Sequence, residues 1–327
     1  MSTVKPMHSN IIYALAVLFL ISGIFGYLDI KNNTYDGYST RDFTVTKVDA
    51  DSPSANAGME VGDQIKTVNG LDVRDSKAWT NVPRVKVGET RSFVVDRGGE
   101  EVSYDITFAE AKASDSILNR VGWTIGLIFL LMGLWAFRGK GTWASLLFAM
   151  FALGFAGSFM GGPNLANGLL DDVLDTLRFC FILLGFAFLV DFLLHYPKKS
   201  SFVDSANANK IIYWPAIILS VFFMGITLMQ SDSTTGMNTF IQIALFAYVV
   251  GFFGWALIIL FRNFRANSDN DKRINLMFWG AVIGLVPILI GFIGSTFMPG
   301  TDLPGEDYYF LTMAAIPICF AKALQDE

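Results

Sequence analysis

Apolar residues run through this 327-residue chain in long blocks. Eight of them, near 11–28, 119–137, 143–161, 177–196, 211–229, 239–261, 274–297 and 307–323, come close to the roughly 20 residues an α-helix needs to cross a bilayer. Between the first and second blocks the period changes. Phe43-Thr-Val-Thr-Lys-Val, Thr90 to Asp96 and Glu101 to Phe108 alternate apolar with polar positions, as half-buried strands do. Turn signals separate them: Asp51-Ser-Pro before a short Ala-rich helix stopped by Gly58, Gly62-Asp63, Asn69-Gly70, and Arg97-Gly-Gly-Glu as a hairpin turn. Ser76 to Val82 reads as a short helix and Ala111 to Ser116 as a polar linker. The pattern predicts an α-helical polytopic membrane protein of about eight transmembrane helices carrying an inserted small α+β domain. Its parts are an N-terminal transmembrane anchor at 1–30, the inserted domain at 36–112 and a seven-helix transmembrane domain at 117–327. No small-residue cleavage site follows the first block before Asp29, so that block is expected to be retained.

Composition agrees with lipid as the main solvent: 53% of residues are hydrophobic, only 16% are charged, and 30 are Phe. Charge also gives an orientation. Arg138 and Lys140, then Lys198, Lys199 and Lys210, then Arg262, Arg265, Lys272 and Arg273 fall in alternate loops. The intervening loops hold Asp171, Asp172, Asp175, Asp232, Asp302, Glu306 and Asp307, with no Lys or Arg among them. By the positive-inside rule both termini are cytoplasmic and the inserted domain is extracytoplasmic, which in a Gram-negative inner membrane means periplasmic. A net charge of −5 without a basic block argues against a nucleic-acid partner.

The search for catalytic chemistry returns little. The chain has two histidines, His8 and His195, and lacks the His-Glu-x-x-His zinc motif, a Gly-x-Ser-x-Gly elbow and a phosphate-binding glycine loop. No metal site and no cofactor are expected. Cys180 and Cys319 sit inside separate apolar blocks, at depths that do not suit a disulfide. Three ionisable residues inside the blocks are candidates, because such groups are costly in a membrane and often functional: Arg178, Asp191 and His195. Asp191 and His195 are four apart on one helix face, either as an ion-sensitive pair or as an interfacial pair before Pro197. Arg178 has Asp175 within one turn as a local partner.

The progression Asp51-Ser-Pro-Ser-Ala-Asn-Ala-Gly-Met, Gly62-Asp63 and Val68-Asn-Gly resembles the PDZ domain, particularly its bacterial form. The resemblance implies a module that binds peptides by adding a strand to a sheet edge. It makes Gly37, Tyr38, Ser39 and Thr40 the candidate peptide-binding residues, at the loop before the first strand, and a peptide or protein C-terminal tail the expected partner.

Three later fragments add a second resemblance: Asp191-Phe-Leu-Leu-His-Tyr-Pro, Lys272-Arg-Ile-Asn-Leu-Met-Phe-Trp-Gly-Ala-Val-Ile-Gly-Leu-Val-Pro and Ala315-Ile-Pro-Ile-Cys-Phe-Ala-Lys-Ala-Leu. Together they look like the membrane input region of bacterial sensor histidine kinases of the competence-pheromone receptor type, here without the kinase domain. The expectation that follows is a non-enzymatic inner-membrane sensory or receptor module, in contact with membrane lipid and with a signalling kinase. The alternative is an accessory or scaffold subunit of a larger membrane protein complex.

Overall fold

Helix α1 (Pro6–Asp29) leads into the inserted domain, and the remaining long helices follow it. They are α3 (Ala113–Lys140), α4 (Trp143–Met160), α5 (Gly168–His195), α6 (Ala208–Met229), α7 (Thr235–Arg265) and α8 (Lys272–Phe297). The chain closes on a 3-10 stretch, Glu306–Ala314, and the short α9 (Ala315–Gln325). The computed structural model describes residues 6–75, 78, 82–165, 168–229, 235–266, 271–297 and 306–326. The helix expected at Ser76 to Val82 falls largely outside the described residues.

Among the described residues six helices, α1 and α3 to α7, are long and apolar enough to cross a membrane. The chain is thus a mostly helical, multi-pass membrane protein. The last expected block differs from its prediction: it opens as a 3-10 helix and becomes α-helical only at Ala315. Two causes are visible. Thr312 Oγ1 donates to Tyr309 O at 2.6 Å and to Gly284 O at 3.2 Å, a side-chain bond that favours the tighter turn. Pro317 then lies in the first turn of α9, where its missing N–H costs no helical hydrogen bond.

Helix α4 is the centre of the bundle, with α3, α5 and α9 packed around it. Phe129, Phe148, Phe151, Phe192 and Phe320 are fully buried there. The Phe148 and Phe192 ring centroids stand 5.5 Å apart, and Phe129 stacks on Phe155 at 5.4 Å. Gly280 and Gly284 of α8 lie hard against Cys319 and Ile316 of α9, so these small residues serve internal packing. Trp123 of α3 donates to Gly23 O of α1 at 2.7 Å, which ties the first helix to the bundle. Both cysteines are free thiols.

The inserted domain is built on β2 (Tyr38–Arg41), β3 (Thr44–Val48), β4 (Gln64–Val68), β6 (Thr90–Arg97) and β7 (Glu100–Thr107), hydrogen-bonded in that order, with β5 (Leu71–Asp72) on β4. All pairs are antiparallel. Asn69 and Gly70 both take positive φ, as a two-residue hairpin turn requires. Helix α2 (Pro53–Ala57) starts on Ser52, whose Oγ accepts from Ala55 N at 3.1 Å, and ends at Gly58 with φ 95°. Val45, Met59, Ile65, Val68, Phe93, Val95, Tyr104, Ile106 and Phe108 form a core separate from that of the helices.

A second, two-stranded ribbon pairs β1 (Thr34–Tyr35) with β8 (Ala109–Glu110). It joins the chain leaving α1 to the chain approaching α3. Asp49 clamps it: its carboxylate accepts from Tyr35 Oη at 2.7 Å and Lys112 Nζ at 2.9 Å, and Lys112 also lies over the Tyr35 ring. The Lys112 ammonium beside it, followed by the Tyr35 hydroxyl, holds the Asp49 carboxyl well below the usual carboxylate range.

Candidate functional site

The candidate peptide site begins at a backbone turn. Gly37 has φ 84°, and any side chain there would run into Ser52. The turn is fastened from below: Asp36 O accepts from Ser54 N at 3.0 Å and Ser54 Oγ at 2.7 Å, while Gly37 O accepts from Asp49 N at 2.8 Å. Both carbonyls point into the domain. Burial raises the Asp36 pKa, and backbone N–H groups of residues 36 to 38 hold that rise back. An internal carboxylate therefore faces the N–H groups that could receive a peptide terminus.

Tyr38, Ser39 and Thr40, expected as loop, belong to β2. The residues pair with Val48, Lys47 and Val45 of β3, with a bulge between Ser39 and Thr40. Strand β2 is the end of the sheet, and its outer edge has no strand partner among the described residues. Tyr38 packs its ring edge-on against Phe93 at 6.0 Å between centroids, and burial pushes its hydroxyl pKa up to about 12. Tyr38 is thus a half-buried anchor, while Ser39 and Thr40 are exposed. The arrangement offers an extended peptide an open row of main-chain groups beside an aromatic wall.

Asp63 holds the other end of the domain together. It is completely buried, and its carboxylate accepts from Arg97 Nε at 2.7 Å, Arg97 Nη2 at 2.8 Å, Glu60 N at 2.9 Å and Tyr104 Oη at 3.1 Å. The sequence reading took Gly62-Asp63 only as a turn signal; a charged residue leading into an apolar strand was the available hint of a buried role.

The three membrane candidates are not brought together. Arg178 and Asp191 are 13 positions apart on α5, about 20 Å along the helix. Arg178 pairs with Asp175, reaches Ser22 Oγ of α1 at 3.3 Å and lies against Gly162. It fastens α1 to the loop after α4. Asp191 is buried, 3% exposed, and accepts from Tyr213 Oη of α6 at 2.6 Å. His195 Nδ1 lies 2.9 Å from Asp191 O and 3.1 Å from Asp191 Oδ1. Shared between two oxygens, it leaves Oδ1 without a well-aligned donor. Tyr213 is the partner the sequence did not point to, since 22 residues separate it from Asp191.

Residues 28–108 match the PDZ domain family, and a PDZ domain is present. The chain is therefore a multi-pass helical membrane protein bearing a PDZ domain, a module that generally binds peptide C-terminal tails. A protein of Mesorhizobium japonicum named "Putative zinc metalloprotease" is 34% identical over 77 residues, which are 24% of this chain and 21% of the relative. The chain thus spans about a fifth of the length of that relative. This similarity corrects two expectations. The reading as a sensory receptor module or scaffold is overturned, and the exclusion of enzymatic function no longer stands. The likeness of the membrane helices to kinase input regions rests on the three sequence fragments alone.

Among the described residues no three His, Cys, Asp or Glu side chains gather in one place. Asp191 and His195 supply two donors, and the third neighbour is the Tyr213 hydroxyl. This set does not fit a catalytic zinc, which takes three protein ligands and an open position.

Proposed function

We propose that this is a protease-associated PDZ membrane protein, whose PDZ domain takes up the tail or an extended segment of a polypeptide at the membrane surface. The observation that carries the reading is the 34% identity to the Mesorhizobium protein over 77 residues, beside a PDZ domain in this chain. The free edge of β2 supports it: strand addition there would read the backbone of many sequences, with the half-buried Tyr38 ring adding selectivity. In this reading Gly37, Tyr38, Ser39 and Thr40 receive the peptide, and Asp36 must yield to an incoming carboxylate.

The same proposal places the PDZ domain, bounded at about 36–112, outside the cytoplasm and both termini inside, on the strength of the loop-charge asymmetry. It counts eight crossings. The 9-residue 3-10 stretch and 11-residue α9 together reach roughly 34 Å, enough for a hydrocarbon core of about 30 Å.

The test is quantitative membrane proteomics of cells expressing the full chain or a form lacking residues 36–112, each followed after translation is stopped. A defined set of membrane or exported proteins should persist longer in the deletion strain, at matched abundance of the chain. Identical lifetimes across the proteome would refute the link to proteolysis.

A further inference from the structure

At the end of the bundle nearest the PDZ domain lies a cavity of about 560 Å³, within the range of sites that take small molecules. It is walled by the end of α1 and the residues after it, by the segment leading to β6, by β8, and by Asn164 from the loop between α4 and α5. Three cations line it, Lys31, Arg84 and Lys86, against two carboxylates, Asp29 and Glu110, leaving a formal excess of one positive charge. The carboxylates are not equivalent. Asp29 is occupied, accepting from Asn32 Nδ2 at 2.6 Å and from Asn164 N at 3.1 Å. None of the three cations forms an ion pair among the described residues, and all three are exposed. Elsewhere in the PDZ domain Lys47, Lys66, Arg91, Arg97 and Lys112 are each paired, while among the described residues the exposed Arg41 and Arg74 stand alone outside such a cluster.

The cavity opens where the lipid-facing surface stops. Phe25, Tyr27 and Leu28 expose their apolar side chains on the last turns of α1, and Asp29 and Lys31 follow at once. Acyl chains lying along Phe25 and Leu28 would put a headgroup at the level of Lys31. Basic side chains just beyond a hydrophobic span attract anionic headgroups.

We propose that this cavity is a binding site for a singly charged phosphate ester, the headgroup of an anionic phospholipid, held by Lys31, Arg84 and Lys86. Arg84 and Lys86 belong to the PDZ side and Lys31 to the end of the first membrane helix, so the bound phosphate bridges the domain to the bundle. The proposal stands independently of any link to proteolysis.

The full-length chain, purified in mild detergent, is offered phosphatidylglycerol or phosphatidylcholine at equal concentration, and retained lipid is counted by native mass spectrometry. Phosphatidylglycerol should be retained at least about tenfold more than phosphatidylcholine. The K31Q/R84Q/K86Q variant should lose that preference, whereas the control K47Q/K66Q, which also removes exposed lysines, should keep it. Inorganic phosphate distinguishes the source of the ligand. Competition only near molar concentration supports a lipid site, whereas tight binding of phosphate alone, lost in the triple variant, supports the same anion site filled from solution. Equal retention of the two lipids without phosphate binding, or an unchanged preference in the triple variant, would overturn the proposal.

Discussion

Replacing Asp63 with asparagine is the sharpest test of what holds the PDZ domain together. The carboxylate is completely buried and receives four hydrogen bonds, two from the Arg97 guanidinium, one from the Tyr104 hydroxyl and one from the Glu60 amide. The amide keeps the shape, but its NH2 group faces a donor whichever way it is turned, so at least one buried hydrogen bond is replaced by a donor–donor contact. Removing a hydrogen-bonded charge from such a setting costs about 2–4 kcal/mol. In a domain of about 80 residues each kcal/mol moves the midpoint by about 4–8 °C, so a cost near 3 kcal/mol lowers it by roughly 12–24 °C. The assay is thermal unfolding of segment 28–112, which has its own core, followed by far-UV circular dichroism at pH 7 and then at lower pH. Arg97 beside Asp63 holds its carboxyl below the usual range in the folded domain. The stabilisation it gives is therefore complete above the unfolded value of about 3.9 and disappears as pH falls through the lower native value. The gap between wild type and D63N should narrow below about pH 4. Midpoints that coincide at pH 7, or a gap that stays constant on acidification, would refute this account.

Three further outcomes are expected. Gly58→Val should cost the PDZ domain about 1–2 kcal/mol through backbone strain alone, since nothing stands within 4 Å of the added Cβ; Gly37→Ala should cost more, because its Cβ meets Ser52. Urea unfolding of segment 28–112 ranks the two, and the reverse order would count against the packing described at Gly37. Tyr213→Phe should destabilise the detergent-solubilised chain by about 1–3 kcal/mol by taking the donor from the buried Asp191 carboxylate, with Asp191→Asn on top of it adding less than it does alone. Additive shifts in a thermal aggregation assay would show that the two do not act as a pair. Asp36→Ala should tighten binding of a peptide with a free C-terminus about tenfold while leaving its C-terminal amide unaffected, measured by fluorescence anisotropy; equal effects on both peptides would place the terminus elsewhere.

Much of the fold was legible because lipid and a half-buried sheet impose different periods on the sequence. Blocks of about 20 apolar residues mark helices whatever their partners, and α1 and α3 to α7 lie where those blocks do. Alternation fixed β3, β6 and β7, and Asn69-Gly70 fixed the turn between β4 and β5. Strand β2 escaped because Tyr38-Ser-Thr-Arg carries one apolar residue in four, as an edge strand with a solvent-facing side can. The 3-10 start of the last block escaped for a different reason: it depends on Thr312 bonding both its own turn and Gly284 of another helix, a tertiary fact no local window contains.

The same division explains why site chemistry was harder to read than architecture. Arg178 and Asp175 are neighbours in sequence, and their pairing was visible as spacing. Asp63 with Arg97, Asp49 with Lys112 and Asp191 with Tyr213 are separated by 34, 63 and 22 residues, and only the folded chain brings them together. Each of these pairs also meets a local need: a buried turn, a closed ribbon, a polar group inside a bundle. Low dielectric makes every unpaired charge costly, so a folded chain tends to use up its own ionisable groups. The groups left unused therefore carry more information about binding than those already matched. Among them in this chain are the outer edge of β2 and the cluster of Lys31, Arg84 and Lys86 at the junction of domain and bundle. The partners proposed for the two differ, a polypeptide backbone and an anion, and the β1–β8 ribbon clamped by Asp49 couples the domain that carries the first to the helices beside the second.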